Sequence, residues 1–312
     1  MRNLKLAAVD IGSNAIRIQV TNVIHYQSNA TYKKLEYVRF PLRLGQDVFN
    51  QADENIPPMI SPERAEKFLK LMHAFKLLIE LYEVDDYMGC ATSAMREAQN
   101  GPELVDQVRK EYGLQLDIIS GKAEAELLNK ALEGVMDEKA YLHIDVGGGS
   151  TELNVYVNRE KIASASFPIG SVRRLVKHTS LDNEWRELRT WIKANVVKKE
   201  YGRVTAIGTG GNIGKIYDLA NKGPGKVLTI HKIRQVQKFI ASHTWEERIN
   251  KLQLNPDRAD VIIPASEIYT SVMDWAEATK ILVPNVGLKD GIMHALYERN
   301  LPKLATAEKV NS

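Results

Sequence analysis

Two segments of this chain set an aspartate at the end of an apolar run and follow it with a glycine turn. They are Asp10-Ile11-Gly12-Ser13-Asn14 and Asp145-Val146-Gly147-Gly148-Gly149-Ser150. A glycine lets backbone N–H groups come close to an anion, because no Cβ stands in the way. Successive N–H groups in such a turn form a concavity that suits phosphate. The aspartate cannot itself favour phosphate, but it can hold a hydrated Mg²⁺ (or Mn²⁺) that screens phosphate charge. One such turn is equally well explained by a hairpin that merely needs glycine. Two matched turns favour the anion reading, with the pair facing each other across a cleft.

Three further segments carry groups that suit an anion. Ala91-Thr92-Ser93-Ala94-Met95-Arg96 follows a strand-like run and opens a helical one, which sets hydroxyls and N–H groups at a helix start. Arg96 can fork onto phosphate oxygens from there, although a lone helix arginine is more often solvated. Ile119-Ser120-Gly121-Lys122-Ala123-Glu124 puts a carboxylate on the first turn of a helix, where it also suits the helix dipole. Gly208-Thr209-Gly210-Gly211-Asn212 is a glycine loop after an apolar strand, a weak sign by itself. Other chemistries are poorly served. The seven histidines lack zinc-binding spacing, and His143, two residues before Asp145, reads as a packed core histidine. There is no Walker loop and no Gly-x-Ser-x-Gly elbow. The single cysteine, Cys90, reads as a core residue and excludes an internal disulfide framework. Arg173, Arg174 and Lys177, and Lys198 with Lys199, are basic runs of the kind that usually face solvent.

These groups need elements to hold them. Apolar runs predict strands at Leu4–Val9, Ala15–Val23, Tyr32–Leu44, Tyr87–Ala91 and Gln115–Ile119. Helices are expected from Ser61-Pro62-Glu63 through Tyr82, over Ala94–Tyr112 around Gly101-Pro102, and over Ala123–Met136. Strands then recur at Tyr141–Val146, Thr151–Val157 and Lys161–Phe167. Helical stretches follow near Val172–His178 and Glu184–Lys199, with short strands at Val204–Ile207 and Ile281–Val283. Placing Asp10 on Asp145, an offset of 135 residues, aligns Ile18 with Leu153 and Val20 with Val155 without a gap. This is one weak internal repeat, so two related domains are expected, 1–122 and 123–312, with the C-terminal helix able to pack back on the first. A length of 312 residues agrees with about two domains.

Composition bounds the function. Hydrophobic content of 44% and charged content of 26% are ordinary for a globular protein. With 42 Lys plus Arg against 39 Asp plus Glu, the formal charge of +3 gives no blanket basic surface for DNA. No apolar run approaches the ~20 residues of a membrane span. Met1-Arg2-Asn3-Leu4-Lys5 shows no signal-peptide pattern, so the cytoplasm is the expected location.

The ordered set of motifs resembles the exopolyphosphatase and guanosine pentaphosphate phosphatase (Ppx/GppA) family in its short two-domain form. Arg258-Ala259-Asp260-Val261-Ile262 and Gly287-Leu288-Lys289-Asp290-Gly291 look like the late motifs of that family. The resemblance implies an α/β, duplicated actin-like fold (ribonuclease H-like, as in sugar kinases and Hsp70) with the site in the interdomain cleft. It implies a homodimer and Mg²⁺-assisted release of terminal phosphate from polyphosphate, from guanosine pentaphosphate, or from both. Carried over by position, Glu124 matches the glutamate that activates water, and Asp145 and Glu152 match acids near metal and water, with Asp10 as a further metal residue. Gly12, Ser13, Asn14, Arg17, Gly147, Gly148, Gly149, Ser150, Thr151, Gly208, Thr209, Gly210 and Gly211 match phosphate-binding positions, and Arg96 and Arg258 look like arginines that meet the anion. The chain departs from the family pattern at Ala15, where a hydroxyl residue is common, and at Lys122-Ala123, where a second acid is common. A kinase or ATPase of the same superfold, and a non-catalytic alarmone sensor, are the alternative readings.

Overall fold

The computed structural model describes residues 2–26, 29–50, 56–176, 181–221, 223 and 225–308. The first part of the chain runs β1 (Arg2–Ile11), β2 (Ile16–Tyr26), β3 (Asn29–Phe40), α1 (Gly45–Val48), α2 (Pro62–Leu81), β4 (Asp86–Ala91), α3 (Ser93–Glu97), α4 (Gly101–Tyr112), β5 (Asp117–Ile118) and α5 (Gly121–Leu132). It continues with β6 (Ala140–Val146), β7 (Thr151–Val157), β8 (Glu160–Phe167), α6 (Ser171–Val176), α7 (Asp182–Asn195), α8 (Lys198–Tyr201), β9 (Thr205–Thr209) and α9 (Gly211–Leu219). The remainder is β10 (Leu228–Thr229), α10 (Ile230–Ala241), α11 (Trp245–Asn250), α12 (Pro256–Ala259), α13 (Ile262–Trp275), β11 (Lys280–Leu282) and α14 (Leu288–Glu308). The last two residues of the stretch expected at Val172–His178, Lys177 among them, lie outside the described residues. Among the described residues, no helix is long and apolar enough to cross a membrane.

The chain divides into two units. The first joins Met1–Leu44, Pro57–Ala131 and Gly287–Ser312; the second joins Gly45–Ile56 and Leu132–Val286. The expected boundary at 122/123 falls in the first turn of α5, which stays with the first unit almost to its end. The reason is close packing inside that unit: a Cβ on Gly291 of α14 would stand 2.0 Å from the Leu127 carbonyl of α5, so only glycine lets the two helices approach.

In the first unit the strand order is β3-β2-β1-β4-β5. β1 runs antiparallel to β2 and parallel to β4. Leu6, Ala8, Val23 and Cys90 on one face pack against Leu288, Ile292, Met293 and Leu296 of α14, so the C-terminal helix returns to this sheet. Helix α2 starts as its sequence dictates, with Ser61 accepting from the Arg64 N–H at 3.4 Å and Pro62 in the first turn. Its buried Phe68, Met72, Phe75 and Ile79 recur at helical spacing.

The second unit has the order β10-β11-β9-β6-β7-β8. Read from β8, it follows the same path as the first sheet and adds β10 at the far edge. Here too the first strand is antiparallel to the second and parallel to the strand on its other side. Leu142, Ile144, Leu153, Val155 and Ala206 face a large core with α7, α9, α10 and α13. Tyr141, Tyr156 and Ile207 face a smaller cluster with Leu132 and Met136. This is the duplicated α/β, ribonuclease H-like plan. The two-residue strand β10 carries too few side chains to have been read from periodicity, and β5 is shorter than the expected Gln115–Ile119.

Candidate active site

The two Asp-x-Gly turns are built alike. Each follows the first strand of its unit, and each closes with a hydrogen bond from the glycine N–H to the carbonyl three residues on. These are Gly12 to Ala15 at 3.2 Å and Gly147 to Ser150 at 3.0 Å. Each returns into an antiparallel strand, and the register puts Arg17 opposite Asp10 and Glu152 opposite Asp145. The same backbone therefore presents a cation to one aspartate and a second carboxylate to the other.

In the first unit, Arg17 Nη1 donates to Asp10 Oδ2 at 2.8 Å. Burial opposes the Arg17 charge, but Asp10 and Tyr37 outweigh it and hold the guanidinium above its ordinary pKa. Asp10 is thus a neutralised acid. Ser13 Oγ accepts from the Ala94 N–H at 3.1 Å and shares a proton with Ser93 Oγ at 2.8 Å, tying the turn to the start of α3. The Asn14 carbonyl accepts from the Arg43 N–H. Arg96 Nη1 donates to the Ile119 carbonyl at 2.6 Å, which joins two of the sequence motifs. Glu124 is buried in the first turn of α5, where Ser120 Oγ accepts from the Ala123 N–H.

In the second unit the acids are concentrated. Asp145 and Glu152 each offer a carboxylate oxygen within 4.8 Å of the other, and Glu152 is 2% exposed. Like charges so close repel unless a cation or hydrogen bonds offset them. Glu152 Oε1 accepts from Ser150 Oγ at 2.6 Å and from Ser166 Oγ at 2.9 Å. Asp145 Oδ1 accepts from Thr209 Oγ1 at 2.7 Å. Two facing carboxylates form a hard oxygen donor set, which fits Mg²⁺ or Mn²⁺.

The loop beside these acids is held from behind. The Gly147 carbonyl accepts from Ser171, the Gly148 carbonyl from the Val172 and Arg173 N–H groups, and the Gly149 carbonyl from Arg173 Nε at 2.7 Å. The peptides are trans, so each N–H points opposite to the preceding carbonyl. The N–H groups of Gly148, Gly149 and Ser150 therefore turn away from α6 together, as an anion-binding turn requires. Thr151 contributes differently: its hydroxyl donates to the Ile169 carbonyl at 2.5 Å. Arg173 thus supports the loop, although by residue type it belongs to a basic run of the kind that faces solvent. It is buried, and its guanidinium lies 4.0 Å from the centre of the Phe49 ring. Arg174 likewise pairs with Glu267 and stacks over Trp185. The available signal was Gly170-Ser171 before Arg173, which starts α6 at the loop.

The Gly208–Gly211 segment ends β9 and opens α9. Thr209 lies opposite Asp145 in the parallel ladder. Gly210 sits at φ +104°, where a Cβ would stand 3.3 Å from Asp145 Oδ1, so glycine is required there. A Cβ on Gly211 would stand 2.8 Å from Arg258 Nη2, which places Arg258 against this loop. The Tyr269 hydroxyl accepts from the Val146 N–H and donates to the Thr209 carbonyl, joining the two strand ends. Burial, with the nearby Asp145 charge, holds that phenol protonated well above its usual range. His143 is wholly buried, and burial together with the Lys161 charge lowers its pKa to about 3.

The family model of the Ppx/GppA phosphatases matches residues 24–300. Exopolyphosphatase 1 of Mycobacterium tuberculosis is 23% identical over 93% of this chain and 87% of its own length. A bifunctional 3-dehydroquinate synthase/phosphatase of Fusobacterium nucleatum is 27% identical over 95% of this chain, which spans only 46% of that longer protein. Among solved structures, the Aquifex aeolicus Ppx/GppA family member superimposes with a TM-score of 0.73 at 23% identity, covering 96% of this chain and 99% of that one. An exopolyphosphatase from Cytophaga hutchinsonii superimposes with a TM-score of 0.78 at 20% identity, covering 94% and 98%.

Proposed function

The chain belongs to the Ppx/GppA phosphatase family, and from that premise we propose that it releases terminal phosphate from inorganic polyphosphate, from guanosine pentaphosphate, or from both. The observation that carries this reading is the pairing of Asp145 with Glu152 beside a loop whose N–H groups turn one way. Phosphoryl transfer needs positioning and charge neutralisation more than covalent chemistry. The Gly147–Ser150 loop binds phosphate oxygens through its N–H groups, and Arg258 adds positive charge beside the Gly208–Gly211 loop. Asp145 and Glu152 hold a divalent ion, Mg²⁺ or Mn²⁺, which supplies charge neutralisation at the phosphate. Glu124 takes the proton of the attacking water, and Arg96 and the Gly12–Asn14 turn serve the anion. A cytoplasmic homodimer completes the proposal.

The test is phosphate release from short polyphosphate, long polyphosphate, guanosine pentaphosphate and ATP, each with Mg²⁺ and with EDTA. Turnover of one of the first three that EDTA abolishes is the expected result. ATP turnover without the others would place the chain with the kinases and ATPases of the superfold. Glu124→Gln should lower kcat at least ~10²-fold with KM nearly kept, the scale of a lost general base. Near-normal turnover in that variant would remove Glu124 from the role.

A further inference from the structure

One step behind the two acids, the second sheet carries a second polar row. Ser164, Asn154 and His143 are cross-strand neighbours on β8, β7 and β6. Each lies two residues from Ser166, Glu152 or Asp145, so both rows share one face. His143 and Asn154 are fully buried beside a cluster formed by Tyr141, Tyr156 and Ile207. Polar groups in such a place cost stability unless they bond to one another. At two of these positions the first unit shows an apolar alternative. Ala8 stands where the repeat puts His143, and Cys90 pairs with Asp10 as Thr209 pairs with Asp145. Both Ala8 and Cys90 pack in an apolar cluster there.

The protons in this row can run only one way. Ser164 Oγ donates to Asn154 Oδ1 at 2.7 Å, so the Asn154 amide nitrogen faces His143 Nδ1, at 3.1 Å, as a donor. Nδ1 therefore carries no proton, and the imidazole bears its proton on Nε2. That nitrogen lies 2.8 Å from Thr209 Oγ1 and donates to it. The Thr209 hydroxyl, its acceptor side occupied, gives its own proton to Asp145 Oδ1. Four hydrogen bonds across four strands thus end on one carboxylate oxygen.

We propose that His143 and Thr209 are positioning residues for Asp145, fixing the rotation of its carboxylate so that the acid meets the divalent ion without reorganising. This rests on the reading of Asp145 as a metal-holding acid. Partners behind a ligand commonly change metal affinity or activity by about 10–100-fold when removed.

The experiment uses the full chain with Mn²⁺ as probe. Nitrogen NMR of the histidine rings should show His143 with its proton on Nε2; a proton on Nδ1 would overturn the proposal. Thr209→Val should weaken Mn²⁺ binding, measured by electron paramagnetic resonance without substrate, by about 10–100-fold, while Thr209→Ser restores it to within a few-fold. With Mg²⁺, kcat should fall in Thr209→Val with KM little changed. His143→Gln, which can still accept from Asn154 and donate to Thr209, should keep more Mn²⁺ affinity than His143→Leu. Equal Mn²⁺ affinity in the wild type and Thr209→Val would overturn this proposal alone. No Mn²⁺ binding in the wild type would overturn the functional reading of Asp145 beneath it.

Discussion

The two units share one strand-turn-strand design and use it for opposite electrostatic ends. In the first, Asp10 faces Arg17 and the charge is cancelled at the turn. In the second, Asp145 faces Glu152, and hydroxyls from Ser150, Ser166 and Thr209 steady the two carboxylates. The strand behind each turn follows suit: Cys90 and Ala8 in an apolar cluster under Asp10, Thr209 and His143 in a polar row under Asp145. A duplicated backbone thus keeps its geometry while the pair of facing carboxylates falls in one copy. A turn that is charge-balanced can position an anion, whereas a turn with surplus negative charge attracts a cation.

The sharpest way to break this contrast is to make the second unit copy the first. Glu152→Arg should pair with Asp145, abolish Mn²⁺ binding and lower metal-dependent phosphate release at least ~10²-fold. Far-ultraviolet circular dichroism would establish that the variant folds, with Glu152→Gln as a milder companion. Retained Mn²⁺ affinity in both would show that the surplus charge is not what distinguishes the units. A smaller effect is expected on the first side. Asp10→Asn leaves Arg17 without its carboxylate in a mostly buried site, and should cost about 3 kcal/mol in urea unfolding. Its Mn²⁺ affinity should fall far less than that of Glu152→Gln. A further prediction concerns Cys90, which lies outside both turns. Burial, with the Asp10 charge next, pushes its thiol up to about 12. The thiol should resist alkylation at pH 8 until the chain is unfolded. An unfolded thiol loses its proton near 8.5, whereas the native one keeps it to about 12. The unfolded state therefore binds fewer protons in that window, and stability should fall as pH rises through it. A Cys90→Ser variant should show a shallower fall in the same window.

Much of the site was legible because its parts are local. A glycine turn after an apolar strand can be read from a dozen residues, and the offset of 135 residues aligns Arg17 with Glu152 as surely as Asp10 with Asp145. By residue type the basic run at Arg173 and Arg174 reads as a solvated face, because residue type alone does not reveal that a guanidinium will support a loop carbonyl. His143 reads from sequence as a core histidine, and it is fully buried. Its role depends on Thr209, 66 residues away, and no short-range pattern reports that contact. The return of helix α14 to the first unit is among the expectations, whereas the segment Gly45–Ile56 joins the unit that is distant in sequence, which no local pattern reports.

By itself the sequence determined the number of units, the strand-turn-strand order in each, the acids and glycines at the turns, and the family. These follow from local backbone preference and from side-chain periodicity, which need no distant partner. The tertiary structure alone decided which aspartate is neutralised and which is crowded, which arginines are committed to carbonyls, and which way the protons run beneath Asp145. Those outcomes depend on distances of a few ångströms between strands far apart in the chain, and hydrogen bonds and ion pairs change sharply with such distances.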